Sequence, residues 1–72
     1  MLMRQTTMMK TVIRTQEDMV IVFDENGRQI PEYQGRYEDV KLKILRDAVT
    51  GTVLKHWYEN SPEPEIVARN NW

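Results

Sequence analysis

The chain predicts a small α+β protein, a two-layer sandwich of one helix on a mostly antiparallel sheet of three to four strands, in the order β-β-β-α-β. Three observations carry this expectation. Met19–Phe23 is a run of five apolar residues bounded by Asp18 and Asp24. Asn26-Gly27 follows closely, and Asn-Gly is the strongest short-range hairpin signal. Tyr37, Val40, Ile44 and Ala48 then recur at three- and four-residue spacing, which is the period of a helix face.

Met1–Met9 is methionine-rich and unpatterned, which reads as a mobile arm. Thr11–Thr15 is short and β-branched, which suits an edge strand, with Gln16-Glu17-Asp18 turning into the next element. Met19–Phe23 is too short for a helix and apolar at every position, so it reads as a central strand covered on both faces. A two-residue turn at Asn26-Gly27 sets Glu25 against Arg28, Asp24 against Gln29 and Phe23 against Ile30. Pro31 ends that return strand because it has no amide hydrogen.

Arg36–Ala48 reads as the helix. Leu42, Leu45 and Val49 are expected to add a second stripe beside the first, and Glu38 and Asp39 sit where the helix dipole favours negative charge. Asp39 and Lys43 form a favourable i,i+4 pair, and Thr50-Gly51 is the expected stop. Thr52–Tyr58 reads as a strand with Val53, Lys55 and Trp57 on one face and Leu54, His56 and Tyr58 on the other. Pro62 and Pro64 then favour an extended path toward Ile66 and Trp72. The organisation is therefore an arm over 1–9, one domain over 10–60 and an extended tail over 61–72, free to dock on its own domain or on a neighbour. One helix cannot cover both faces of the sheet, so the doubly apolar strand demands a second cover, from the tail or from another copy.

Length and composition limit the chemistry. A chain of 72 residues makes a single thin-cored domain. With no cysteine and one histidine, disulfides, thiolate metal sites and multi-histidine sites within one chain are excluded. The net charge of −1 argues against a strong general attraction to nucleic acid or anionic lipid. No apolar run approaches the roughly 20 residues of a membrane span. The N-terminus also lacks the core of a signal peptide, so the expected location is cytoplasmic, away from membranes.

No catalytic constellation emerges. His56 is the only side chain that titrates near neutrality unperturbed, but no orienting acid or nucleophile pairs with it in the sequence. Asp24-Glu25-Asn26-Gly27 lacks the ligand spacing of a calcium loop, and the three glycines mark element boundaries rather than a phosphate loop. No cofactor, metal site or enzymatic activity is expected.

The aromatics are the more informative group. A core this small cannot bury all of Tyr33, Tyr37, Trp57, Tyr58 and Trp72, and Trp and Tyr dominate binding hot spots. The plainer alternative makes Tyr37 and Trp57 core members, with Trp72 as a cap, and still leaves Tyr33, Tyr58 or Ile66 exposed near a sheet edge. The expected function is a non-enzymatic interaction module, a homodimer or a subunit of an assembly, using a strand edge and the anchors Tyr33, Trp57, Tyr58, Ile66 and Trp72. The alternative is a nucleic-acid-associated regulator using Arg36, Lys41, Lys43, Arg46 and Lys55, where charge lies close to stacking surfaces.

Overall fold

A computed structural model describes residues 8–72. It is an α+β fold with a five-stranded sheet and one helix. The strands are β1 (Met9–Arg14), β2 (Met19–Asp24), β3 (Gly35–Arg36), β4 (Val53–His56) and β5 (Glu65–Ile66), and the helix is α1 (Tyr37–Asp47). Their order across the sheet is β3-β2-β1-β4-β5. Only β1 and β4 run parallel; the other three pairings are antiparallel. Parallel neighbours need a crossover, and α1 supplies it between the β2–β3 side and β4.

β1 is the central strand, not an edge. It pairs with β2 through Val12–Val22 and Ile13–Ile21, and with β4 through Val12–Leu54 and Ile13–Lys55. Its β-branched run therefore has a partner on each side. The ladder slips by one residue between Met9 and Thr11. That bulge reverses the side-chain alternation, so Met9 turns into the core while Lys10 faces solvent. Ordered strand thus begins inside the segment expected as an arm, whose residues 1–7 lie outside the described residues.

Both hairpin loops depart from a two-residue turn. At Asn26-Gly27, Gly27 N–H donates to Asp24 O at 3.0 Å, and Asp24 N–H donates to Arg28 O at 2.8 Å. Gly27 has φ +82°, so the turn is a three-residue loop with glycine in the left-handed position. The register moves by one residue from the expected one. Phe23 faces Gln29, and Ile30 N–H donates to Val22 O at 2.9 Å. That shift buries Ile30. The return segment makes a single bridge rather than a strand, because Pro31 opens a 3-10 turn over Pro31–Tyr33. The Asp24 carboxylate fixes the loop by accepting the N–H groups of Asn26 and Arg28.

The β1–β2 loop is built alike, with Thr15 N–H donating to Met19 O and Asp18 N–H to Thr15 O. Here a non-glycine residue, Asp18 with φ +61°, takes the left-handed position. Its carbonyl accepts Tyr37 N–H at 2.8 Å, so this turn holds the start of α1.

α1 packs Val40 and Ile44 on the sheet, with Tyr37, Leu45 and Ala48 at the margin. The expected second stripe does not hold, because Leu42 is 80% exposed. At 100° per residue it stands about 200° from Val40, on the opposite side of the helix. The helix ends at Asp47, and Gly51 (φ +102°) belongs to a separate Val49–Thr52 turn rather than to the cap. The exposed end of the helix is closed instead by the Arg69 guanidinium, which donates to Leu45 O.

The core lies between α1 and one face of the sheet, formed by Met9, Val12, Val20, Val22, Ile30 and Leu54 from the sheet side and Val40 and Ile44 from the helix. The tail completes it. Past the prolines, β5 pairs with β4, and Val67 N–H donates to Leu54 O at 2.9 Å. Trp72 then folds onto its own domain and is 3% exposed. Its indole N–H donates to Lys55 O at 3.0 Å, and its ring meets Tyr37 edge-on at 5.2 Å. Arg14 locks the arrangement by donating to Trp72 O at 2.7 Å while lying 3.5 Å over the Tyr37 ring.

Candidate interaction surface

The alternation of strand side chains places a second set of residues on the sheet face away from α1. β1 contributes Thr11 and Ile13, β2 contributes Met19, Ile21 and Phe23, and β4 contributes Val53 and Lys55. Trp57 continues β4 past its last residue, since its N–H donates to Arg14 O at 2.9 Å. Cross-strand neighbours on this face form two rows, Thr11 between Phe23 and Val53, and Ile13 beside Ile21. Lys55 stands between Ile13 and Ile66. Ile13 is buried, Ile21, Phe23 and Val53 are half-buried, and Met19, Trp57 and Ile66 are exposed. No described element packs over them. Among the described residues the strand 19–23 is therefore covered on one face only, because Trp72 and α1 both lie on the other.

The five aromatic and apolar anchors fall into three settings. Trp72 is a core residue. Tyr33 sits on the 3-10 turn beside the helix, partly buried against the core, with its hydroxyl donating to Asp47. Trp57 (39% exposed), Tyr58 (42%) and Ile66 (73%) remain on the surface along the β4–β5 side. Trp57 thus stays out of the core where sequence patterning expected it, and Trp72 is central to it. The Trp57 indole is nonetheless held, since its N–H donates to Ser61 O at 3.1 Å, and Ser61 in turn donates its hydroxyl to Glu65 at 2.8 Å.

Basic residues are not gathered. Arg46 spans the Asp47 carboxylate with contacts of 2.8 and 3.1 Å, and Arg36 meets Glu38 at 3.5 Å. Lys43 donates to Glu32 O at 2.6 Å. Lys41 stands 5.3 Å over the Tyr37 ring. Lys55 is on the sheet face opposite the helix that carries Lys41, Lys43 and Arg46, so these residues share no surface.

The strongest electrostatic arrangement is structural. Hydrogen bonds from Arg46 and then Tyr33 hold the Asp47 carboxyl down at about 2, and the same bond to Asp47 raises the Tyr33 hydroxyl above its ordinary value. This cluster ties the 3-10 turn to the last turn of α1. His56 lies edge-on to Tyr58 at 4.3 Å and opposite Glu65 on β5. Among the described residues, no group of three His, Asp or Glu side chains is placed to hold a metal ion, and no helix is long and apolar enough to cross a membrane.

A cleft of about 280 Å³ opens beside the face, lined by Thr15, Gln16, Glu17, Trp57, Tyr58 and Glu59. The sequence singled out Trp57 and Tyr58 but not their acidic neighbours, because Glu17 arrives from a turn some forty positions away in the chain. Comparison with protein families, with characterised proteins and with solved structures found no match for this chain.

Proposed function

We propose that this chain is a small non-enzymatic interaction module whose working surface is the open face of its sheet. The observation that supports this reading is the apolar surface that half-buried Ile21, Phe23 and Val53 form around buried Ile13, with exposed Trp57 at its end and the helix and Trp72 packed on the other side. A contiguous apolar patch on a small domain is costly in water and marks a surface that another molecule covers. The face supports the reading better than the strand edges do. β3 and β5 are two residues long, and Pro62 and Pro64 lie just before β5, so either edge offers few free backbone groups to an added strand. Self-association as a homodimer is the simplest form, and a cytoplasmic setting suits a chain with no cysteine.

The test is solution mass by light scattering across a concentration series, joined to cross-linking in cell extract, for wild type and Ile21→Lys. Position 21 is half-buried at the surface of the sheet, so a lysine stem can lie along it with the ammonium in water and the fold is kept. The expected result is association, with itself or with a partner, that Ile21→Lys abolishes at unchanged helix and strand content. A monomeric wild type whose cross-linked products are the same as those of the variant refutes the reading.

A further inference from the structure

We infer that the cleft between the β1–β2 turn and the end of β4 is a binding site for one cationic side chain, a lysine ammonium or an arginine guanidinium presented by another protein. The site shares Trp57 with the open face, but its charge comes from Glu17 and Glu59, which lie outside that face. Two carboxylates, Glu17 and Glu59, line it together with two exposed aromatic side chains, and among the described residues no basic residue lines it. Among the described residues neither Glu17 nor Glu59 forms an ion pair, whereas the neighbouring Asp18 is taken by Arg14 at 2.9 Å. Unpaired carboxylates beside aromatic side chains attract a cation twice, through charge and through the negative potential of ring faces.

The walls are already held. Trp57 is fixed through Ser61, and Tyr58 packs edge-on to His56. Glu17 stands on a turn closed at both ends by backbone hydrogen bonds, and Thr15 Oγ1 accepts Met19 N–H at 3.2 Å. Binding therefore orders little beyond the incoming side chain and the two carboxylates. The volume of about 280 Å³ admits one long side chain. Both cations share the required chemistry; the planar guanidinium also stacks on an indole, and the compact ammonium does not.

The experiment titrates ¹⁵N-labelled protein with N-acetyl-lysine amide, N-acetyl-arginine amide and the neutral N-acetyl-norleucine amide. It follows the Trp57 indole N–H and the amides of Thr15, Gln16, Glu17 and Glu59, with the buried Trp72 indole as the marker of an intact fold. The expected result is saturable shifts confined to the cleft for one or both cations and none for norleucine. The double variant Glu17→Gln/Glu59→Gln then weakens binding by about fivefold or more, the scale of two exposed charge pairs. Equal shifts from norleucine, shifts that never saturate, or unchanged binding in the double variant overturn the site. Ile21→Lys leaves the cleft untouched, so failure here and failure of the open-face reading are separate results.

Discussion

Replacing Trp72 with alanine should be among the most damaging single changes in this protein, and replacing Trp57 one of the milder aromatic ones. Trp72 is 3% exposed, gives its indole N–H to Lys55 O and packs edge-on against Tyr37. Truncating a buried Trp or Phe costs about 3–5 kcal/mol. The 3-10 turn at Arg69–Asn71 has no buried residue to hold it in place and can relax, which places Trp72→Ala toward the lower end, at about 3 kcal/mol. A domain of this length has a total stability of roughly 4–11 kcal/mol, so the loss is a large share. Trp57→Ala removes a side chain that is 39% exposed and outside the core, together with one exposed hydrogen bond to Ser61, at a cost of about 1 kcal/mol. Urea unfolding followed by far-ultraviolet circular dichroism separates the two without relying on either tryptophan's fluorescence. With a slope of about 1 kcal/mol/M for a small domain, the midpoint falls by roughly 3 M for Trp72→Ala and by about 1 M for Trp57→Ala. Equal midpoints, or a larger loss at Trp57, would show that the tail does not close the core in solution.

Three further outcomes follow from the loops and the acidic cluster. Asp18 occupies the left-handed region at φ +61°, so Asp18→Gly should be more stable than Asp18→Ala by about 1 kcal/mol, measured by denaturant midpoint, although both lose the Arg14 contact. The Asp47 carboxyl is depressed to about 2 from an unfolded value near 4. Its contribution is therefore fully present above about pH 4 and is lost as pH falls toward 2, so the gap in melting temperature between wild type and Asp47→Asn should close over that window. An unchanged gap at pH 2 would mean the cluster does not form. Tyr33 has the opposite sign, since its folded value is raised: its contribution holds below about pH 10 and is lost as pH climbs further. Tyr33→Phe should flatten that alkaline loss, as read by melting temperature between pH 9 and 11.

Local chemistry made much of the architecture legible. The apolar run at 19–23, the Asn-Gly loop and the helical spacing of Tyr37, Val40 and Ile44 each appear where their residue types place them. What was not legible depends on partners distant in the chain. Thr11–Arg14 reads the same whether it lies at an edge or in the centre, and only its parallel pairing with Val53–His56 makes it central. The bulge at Lys10 and the three-residue loop at Gly27 each shift one register, and a one-residue shift decides whether Met9 or Ile30 is inside. Leu42 was countable from helical geometry alone, since its angle to Val40 puts it in water. The exchange of roles between Trp57 and Trp72 was not countable, because strand alternation puts Trp57 on the face that no described element covers and says nothing of the side on which the tail packs. For the candidate site, the aromatic half was visible and the acidic half was not, since Glu17 meets Trp57 only through the β1–β4 pairing.

The topology also explains why one face is left open. A parallel β1–β4 pair needs a crossover, and the single helix that provides it can lie on only one side of the sheet. The tail has a choice of sides after β5, and polar bonding decides it. On the helix side the Trp72 indole finds the Lys55 carbonyl, and its backbone oxygen finds Arg14, which is already positioned by Asp18 and Tyr37. On the opposite face Ile13, Ile21, Phe23 and Val53 carry no side-chain acceptor, and only at the end of β4 does an indole, that of Trp57, reach an acceptor, Ser61 O. The tail therefore adds its largest side chain to a core that already has a helix. Among the described residues the face of Ile13, Ile21 and Phe23 is left without cover, for a reason built into the strand order, and that is the face on which the proposed interaction rests.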